Sequence, residues 1–163
     1  MGKIMAEQFE IQELLKVAVE DERSGVAYYS LLEGKSSDPK VKELFADLAR
    51  QEKYHQQRFE KMLNDLGGLR TREQYPGEYM AYLRAMTSRR AFPDVDTARQ
   101  KAQQAGGNRD AIMIALQFER DTLVLMSELR SMVPQKDRPI VDEVNREEQA
   151  HIVALTEALD RLV

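Results

Sequence analysis

Two Glu-x-x-His words, Glu52-Lys53-Tyr54-His55 and Glu148-Gln149-Ala150-His151, contain both histidines of the 163-residue chain. Positions i and i+3 share a helix face, so the carboxylate and imidazole of each word can reach one metal ion. A lone Glu-x-x-His arises easily on a glutamate-rich helix surface. The chain has 17 glutamates, so chance places Glu three residues before both histidines about 1% of the time. The positions of the words along the hydrophobic pattern carry more weight than the words themselves.

Four long segments have apolar residues at alternating steps of three and four, the seam of a packed helix. The first, about 6–33, has the seam Ile11, Leu15, Ala18, Glu22, Gly25, Tyr29, Leu32. The second, about 39–66, has Val41, Leu44, Leu48, Glu52, His55, Phe59, Met62, Leu66. The third, about 108–133, has Ile112, Ala115, Glu119, Thr122, Met126, Leu129, Val133. The fourth, about 137–162, has Val141, Val144, Glu148, His151, Leu155, Ala158, Leu162. Each seam is interrupted near its midpoint by glutamate, or by glutamate and histidine. Gly34 and Gly67-Gly68 read as helix stops, Asp38-Pro39 as a start, and Asn108 as an N-cap. Residues 67–107 read as a long crossover with a short amphipathic piece around Tyr79–Met86 and a short helix from Asp94 or Asp96 to Gly106-Gly107. The expected fold is an all-α four-helix bundle, one domain over 1–163.

The segments form an internal repeat, with a lone glutamate on one helix and Glu-x-x-His on the next. Thirty residues separate Glu22 from Glu52, and twenty-nine separate Glu119 from Glu148. That near-equality predicts two helical hairpins related by a pseudo-two-fold axis. At a rise of about 1.5 Å per residue, Glu22 stands roughly 18 Å from the turn at Gly34 and Glu52 roughly 20 Å from Pro39. The second hairpin gives roughly 21 Å for Glu119 and roughly 18 Å for Glu148. Packing the hairpins face to face brings four carboxylates and two imidazoles into one layer. Buried together without counter-charge, four carboxylates repel strongly, and two divalent cations relieve this. The expected metal ligands are therefore Glu22, Glu52, His55, Glu119, Glu148 and His151. Their mixed oxygen and imidazole donors suit iron or manganese, with zinc possible. Glu20, Asp21, Asp121 and Glu147 fall off the seams and are expected in solvent. Glu20 is the rival to Glu22 if the register of the first helix is shifted by two. Arg84, Arg89 and Arg90 read as a solvated surface.

Composition narrows the function classes. The chain has no cysteine, which excludes disulfides and thiolate-ligated metal centres within it. A formal net charge of −4 argues against nucleic acid as a partner. No run approaches the ~20 apolar residues of a membrane-spanning helix, and the N-terminus lacks a signal-peptide core, so a cytoplasmic location is expected.

Glu22, Glu52-x-x-His55, Glu119 and Glu148-x-x-His151 resemble the metal-binding pattern of the ferritin-like superfamily, in particular the rubrerythrin-type diiron domain. Gly25 and Tyr29 after Glu22, Glu119-Arg120-Asp121, and Glu147-Glu148-Gln149-Ala150-His151-Ile152 extend the resemblance over nearly the whole chain. It implies a left-handed bundle with the crossover between the second and third long helices. It also implies two iron ions (manganese or zinc being possible), with Glu52 and Glu148 as bridges, Glu22 and His55 toward one metal, and Glu119 and His151 toward the other. It further implies reduction of hydrogen peroxide or oxidation of ferrous iron by oxygen or peroxide, and a homodimer. Two departures stand out. Thr122 occupies the place of a further glutamate in rubrerythrins, and Met126 is the second-half counterpart of Tyr29. No cysteine-rich rubredoxin domain accompanies the pattern, so electrons are expected from an external donor or from excess ferrous iron. Glu52, Glu148 and Tyr29 are the residues expected to take part in the chemistry. Tyr29, and secondarily Tyr54, would donate a hydrogen bond at the site, the alternative for Tyr29 being core packing. The rival functions are an iron-storage assembly and a non-redox, metal-dependent structural bundle.

Overall fold

A computed structural model describes residues 2–66, 85 and 90–162, with side-chain detail from Ile11 onward. Among these residues the secondary structure is entirely helical. The helices are α1 (Gly2–Lys35), α2 (Pro39–Asp65), α3 (Val95–Gln104), α4 (Asn108–Met132) and α5 (Arg138–Arg161). α1 packs along α2 and α4 along α5, as two helical hairpins. The hairpins meet through α1 against α4 and α2 against α5, and α3 lies along α1. This is the all-α bundle of two hairpins expected from the seams. No helix among the described residues is long and apolar enough to cross a membrane. The amphipathic piece expected around Tyr79–Met86, together with Arg84, Arg89 and Gly67-Gly68, lies outside the described residues.

Local chemistry explains most of the helix ends. Asp38 accepts hydrogen bonds from the backbone N–H groups of Lys40 and Val41, and Pro39 opens α2. These are the orphan donors of a helix start, and the fixed φ of proline suits the first helical position. Asp94 caps α3 in the same way through the Thr97 N–H at 2.7 Å. Two expected ends differ. Gly34 does not stop α1, which continues to Lys35. A single glycine in a helix costs only about 1 kcal/mol, and Lys35 donates 2.8 Å hydrogen bonds to the carbonyls of Ala102 and Gln103 at the end of α3. Nor does Asn108 cap α4. It is already helical, and Gly107 is the cap, with φ of 145°, no side-chain cap and a conformation that favours glycine. Asp110 reaches back to accept from the Gly106 N–H at 3.0 Å.

The apolar core is split in two. One cluster gathers Tyr28, Tyr29, Phe45, Leu48, Phe92, Phe118 and Leu155 with smaller neighbours. The other gathers Leu14, Leu15, Phe59, Leu125, Leu129 and Val144 with theirs. The glutamates and histidines of the four seams occupy the level between them. Phe45, rather than the expected Leu44, is the fully buried residue of the first turns of α2.

Candidate metal centre

Each seam delivers its polar residues to the same level of the bundle. Glu22 (α1), Glu52 and His55 (α2), Glu119 (α4), and Glu148 and His151 (α5) are all buried, none more than 2% exposed. Two groups of donors form. In the first, ligand atoms of Glu22, Glu52, His55 and Glu148 lie within 4.8 Å of one another; in the second, those of Glu52, Glu119, Glu148 and His151 do so. Glu52 and Glu148 belong to both groups. The two imidazoles lie face to face across the layer, with ring centroids 5.8 Å apart.

The hydrogen bonding of the layer is what tests the fit of a metal. Among the described residues, seven of the eight carboxylate oxygens of Glu22, Glu52, Glu119 and Glu148 are buried without a hydrogen-bond partner, as are Nδ1 of His55 and Nδ1 of His151. His55 Nδ1 stands 2.7 Å from Glu148 Oε1, and His151 Nδ1 stands 2.8 Å from Glu148 Oε2. These approaches lack the direction of an N–H donating to oxygen, so the facing atoms converge without hydrogen bonding. Native interiors rarely leave one such group unsatisfied. A set of buried donors all aimed at common points is the arrangement a pair of cations requires.

The electrostatics agree. Burial pushes the carboxyls of Glu22, Glu52 and Glu119 well above the usual range, and the neighbouring Glu148 carboxylate pushes each further. Burial also raises Glu148, but the two histidines outweigh it and hold that carboxyl below its ordinary range. Burial disfavours charge on His55, yet the Glu148 carboxylate prevails and raises the imidazole to about 9. His151 likewise moves upward, its burial outweighed by Glu119, Glu148 and Glu52. Without metal, the layer therefore takes up protons on groups that a metal needs deprotonated.

The surroundings hold the ligands in place. Tyr29 is fully buried and its hydroxyl donates to Glu119 Oε1, the one carboxylate oxygen of the eight with a partner among the described residues. On the other side, His55 Nε2 lies 2.7 Å from Glu147 Oε2. Gly25 makes room for Glu52: a Cβ there would stand 2.7 Å from Glu52 Oε2 and 3.0 Å from Phe118 Cε1. Tyr54 is half exposed and lies under the Arg58 guanidinium on the outer side of α2, away from the carboxylates.

Several off-seam residues are not in solvent, contrary to expectation. Asp21 is 1% exposed, pairs with Arg90 and accepts a 2.9 Å hydrogen bond from Thr122 Oγ1. Burial raises its carboxyl to about 6 against the opposing pull of Arg90. Arg90 is accordingly an interior partner rather than a solvated surface group. Asp121 is half-buried and accepts from the Ala91 N–H at 2.7 Å. These contacts return the crossover onto the bundle beside the metal layer. Glu147 reaches His55 as described, so only Glu20 behaves as expected, 42% exposed in its side chain beside Arg23. The sequence carried one signal for Glu147, its place directly before a ligand on a helix that must face α2. It carried none for Asp21, whose partner is 69 residues away.

A helical bundle with paired carboxylate–histidine groups on facing helices defines a class, the ferritin-like proteins whose buried ligands fit a dinuclear metal site. Within that class the chain belongs to the rubrerythrin family, whose family model matches residues 13–159. Neither the curated proteins nor the solved structures compared with the chain provide a match.

Proposed function

We propose that this chain is a diiron carboxylate oxidoreductase that reduces hydrogen peroxide, or uses oxygen or peroxide to oxidise ferrous iron, with electrons from an external donor. The observation that carries the reading is the pair of four-ligand groups sharing Glu52 and Glu148, with nearly every donor atom unpartnered. Glu22 and His55 would hold one ion, Glu119 and His151 the other, and Glu52 and Glu148 both. When bound, two ferrous ions supply two electrons, the number that reduces one peroxide to two waters.

The chain's own contribution is geometric and protonic. Two apolar clusters above and below the layer exclude water, which strengthens the field of every charge inside it. Glu147 orients the His55 ring from its outer nitrogen, and such outer partners fix ring direction and ligand basicity. The Tyr29 hydroxyl donates to Glu119 Oε1, and its phenol is pushed well above the ordinary range by burial and then by the Glu119 carboxylate. It therefore serves as a hydrogen-bond donor and not as an acid that ionises. The 163 residues contain no cysteine, so an electron donor with thiolate-ligated iron has to come from outside this sequence.

The test is single-turnover oxidation of anaerobically iron-loaded protein by peroxide. Two equivalents of ferrous iron oxidised per peroxide are expected, with the reaction abolished in the Glu52→Ala/Glu148→Ala variant. Peroxide consumption unaffected by that double replacement would sink the reading. Size-exclusion chromatography after iron loading separates it from storage, since a large particle with many irons per chain contradicts a two-iron enzyme.

A further inference from the structure

Among the described residues, Asp21 is the one buried acid that belongs to neither ligand group. It directly precedes Glu22 on α1 and lies against α4, where Thr122 stands three residues after Glu119. Both oxygens of its carboxylate are engaged. Oδ2 accepts the Thr122 hydroxyl at 2.9 Å, and Oδ1 accepts from the Arg90 guanidinium. A hydroxyl and a guanidinium donating together favour the charged carboxylate. Arg90 comes from the crossover, and its side chain is 8% exposed against 1% for Asp21. The pair is therefore a buried dipole with its negative end beside the layer and its positive end toward the surface.

The neighbours of Arg90 fix that dipole in place. The Ala91 N–H donates to Asp121 at 2.7 Å, and the Phe92 ring packs with its centroid 4.5 Å from Tyr28 and 4.8 Å from Phe118. The charge of Asp21 is felt inside the layer. Burial raises the Glu22 carboxyl most, the Glu148 carboxylate raises it next, and Asp21 adds to both. Charge balance gives this a consequence. The four glutamates of the layer carry four negative charges, which two divalent ions cancel. Two trivalent ions leave an excess of two positive charges. In an interior of low dielectric that excess is costly, and a fixed carboxylate beside it offsets part of the cost.

We propose that Asp21, held by Arg90 and Thr122, is a positioning residue whose field biases the layer toward trivalent metal, resting on the diiron reading given above. Asp21 touches no metal and acts only through its charge. It favours any cation in the layer, and trivalent ions more, because Coulomb energy scales with the charge on the ion. Arg90 has the opposite sign and stands farther out, so it moderates the bias. Removing the carboxylate should disfavour trivalent ions, and removing the guanidinium should favour them. That opposition separates a field from a packing role, in which losing either member loosens the same contact.

The test is chelator-competition titration of the full chain with zinc(II) and with gallium(III) at neutral pH, neither of which needs redox cycling. Relative to the parent, Asp21→Asn should lower the gallium-to-zinc affinity ratio about tenfold. Arg90→Gln should raise the ratio by a smaller factor, and Arg90→Lys should restore it. In iron-loaded protein the reduction potential should move upward in Asp21→Asn and downward in Arg90→Gln. Shifts of the same sign in both variants, or equal changes for the two metals, overturn the proposal. If Asp21→Asn does not fold, an unmoved ratio in Arg90→Gln is sufficient to overturn it. Failure of the parent to bind either metal sinks the diiron reading and the proposal together, whereas a parent that binds both, with variants that leave the ratio unmoved, sinks the proposal alone.

Discussion

His55 and His151 hold equivalent places in the two hairpins, but their outer nitrogens do not. His55 Nε2 lies 2.7 Å from Glu147, whereas His151 Nε2 has no hydrogen-bond partner among the described residues. The residue equivalent to Glu147 in the first hairpin is Gln51, which is exposed. The lone glutamates show the reverse. Glu119 is held by the Tyr29 hydroxyl, while both oxygens of Glu22 are without a hydrogen-bond partner among the described residues. The counterpart of Tyr29 is Met126, buried and unable to donate. One half thus anchors its imidazole and leaves its terminal carboxylate unheld, and the other half does the opposite. The pseudo-symmetry of the buried layer stops at its glutamates and histidines, and the two four-residue groups differ in their surroundings.

The largest effect should come from the residues that belong to both groups. Replacing Glu52 and Glu148 together with Ala is expected to remove both metals, whereas Glu22→Ala or Glu119→Ala should remove one. Metal analysis after dialysis reads the difference. Equal loss in all three variants would mean the halves are not separable. Gly25→Ala comes next, because the new Cβ would displace Glu52 Oε2. It should lower the affinity of both positions, while the Gly34→Ala control, with nothing within 4 Å of its added Cβ, should change neither.

The outer partners should act on one position each. Glu147→Gln is expected to weaken the His55 position by about 10- to 100-fold, and Tyr29→Phe to weaken the His151 position by a similar factor or less. Competitive metal titrations that resolve two sites would show whether each change stays on its own side. Met126→Tyr sharpens the comparison from the other direction, since a hydroxyl donated to Glu22 should make the two positions more alike.

The smallest effect is on stability without metal. Glu22, Glu52 and Glu119 hold protons more tightly folded than unfolded, so apo-protein stability falls as pH rises above about 4.5. His55 adds to this. Its contribution is full below 6.5 and is lost as pH rises through about 9. Glu148 has the opposite sign, stabilising above its ordinary value and losing that contribution in acid. Thermal unfolding of the apo-protein should therefore be highest near pH 5 and decline toward pH 9. The metal-loaded protein should be more stable over the same range and much less dependent on pH.

The six residues of the buried layer were legible in the sequence because each interrupts an apolar seam, and a seam is a local, periodic property. Their common height was legible because helix rise is nearly constant and the loops are short. What could not be read was the contact between seams. Asp21 sits one residue before Glu22, turned toward α4, where Thr122 and the returning Arg90 enclose it. Its burial depends on a crossover contact that no periodicity encodes. Glu147 was misread for the same reason, since its partner is on another helix 92 residues away. The end of α1 was misjudged because the tie that carries it past Gly34 joins Lys35 to α3.

Calorimetric titration of metal-free protein with ferrous iron, under anaerobic conditions and in buffers of different ionisation enthalpy, tests the central claim most directly. Two irons should bind per chain with release of protons, because, without metal, burial shifts the carboxyls of Glu22, Glu52 and Glu119 toward their protonated form and the surrounding carboxylates shift the imidazoles of His55 and His151 the same way. A single iron, binding without proton release, or binding that persists in Glu52→Ala/Glu148→Ala would contradict a dinuclear site built from this layer.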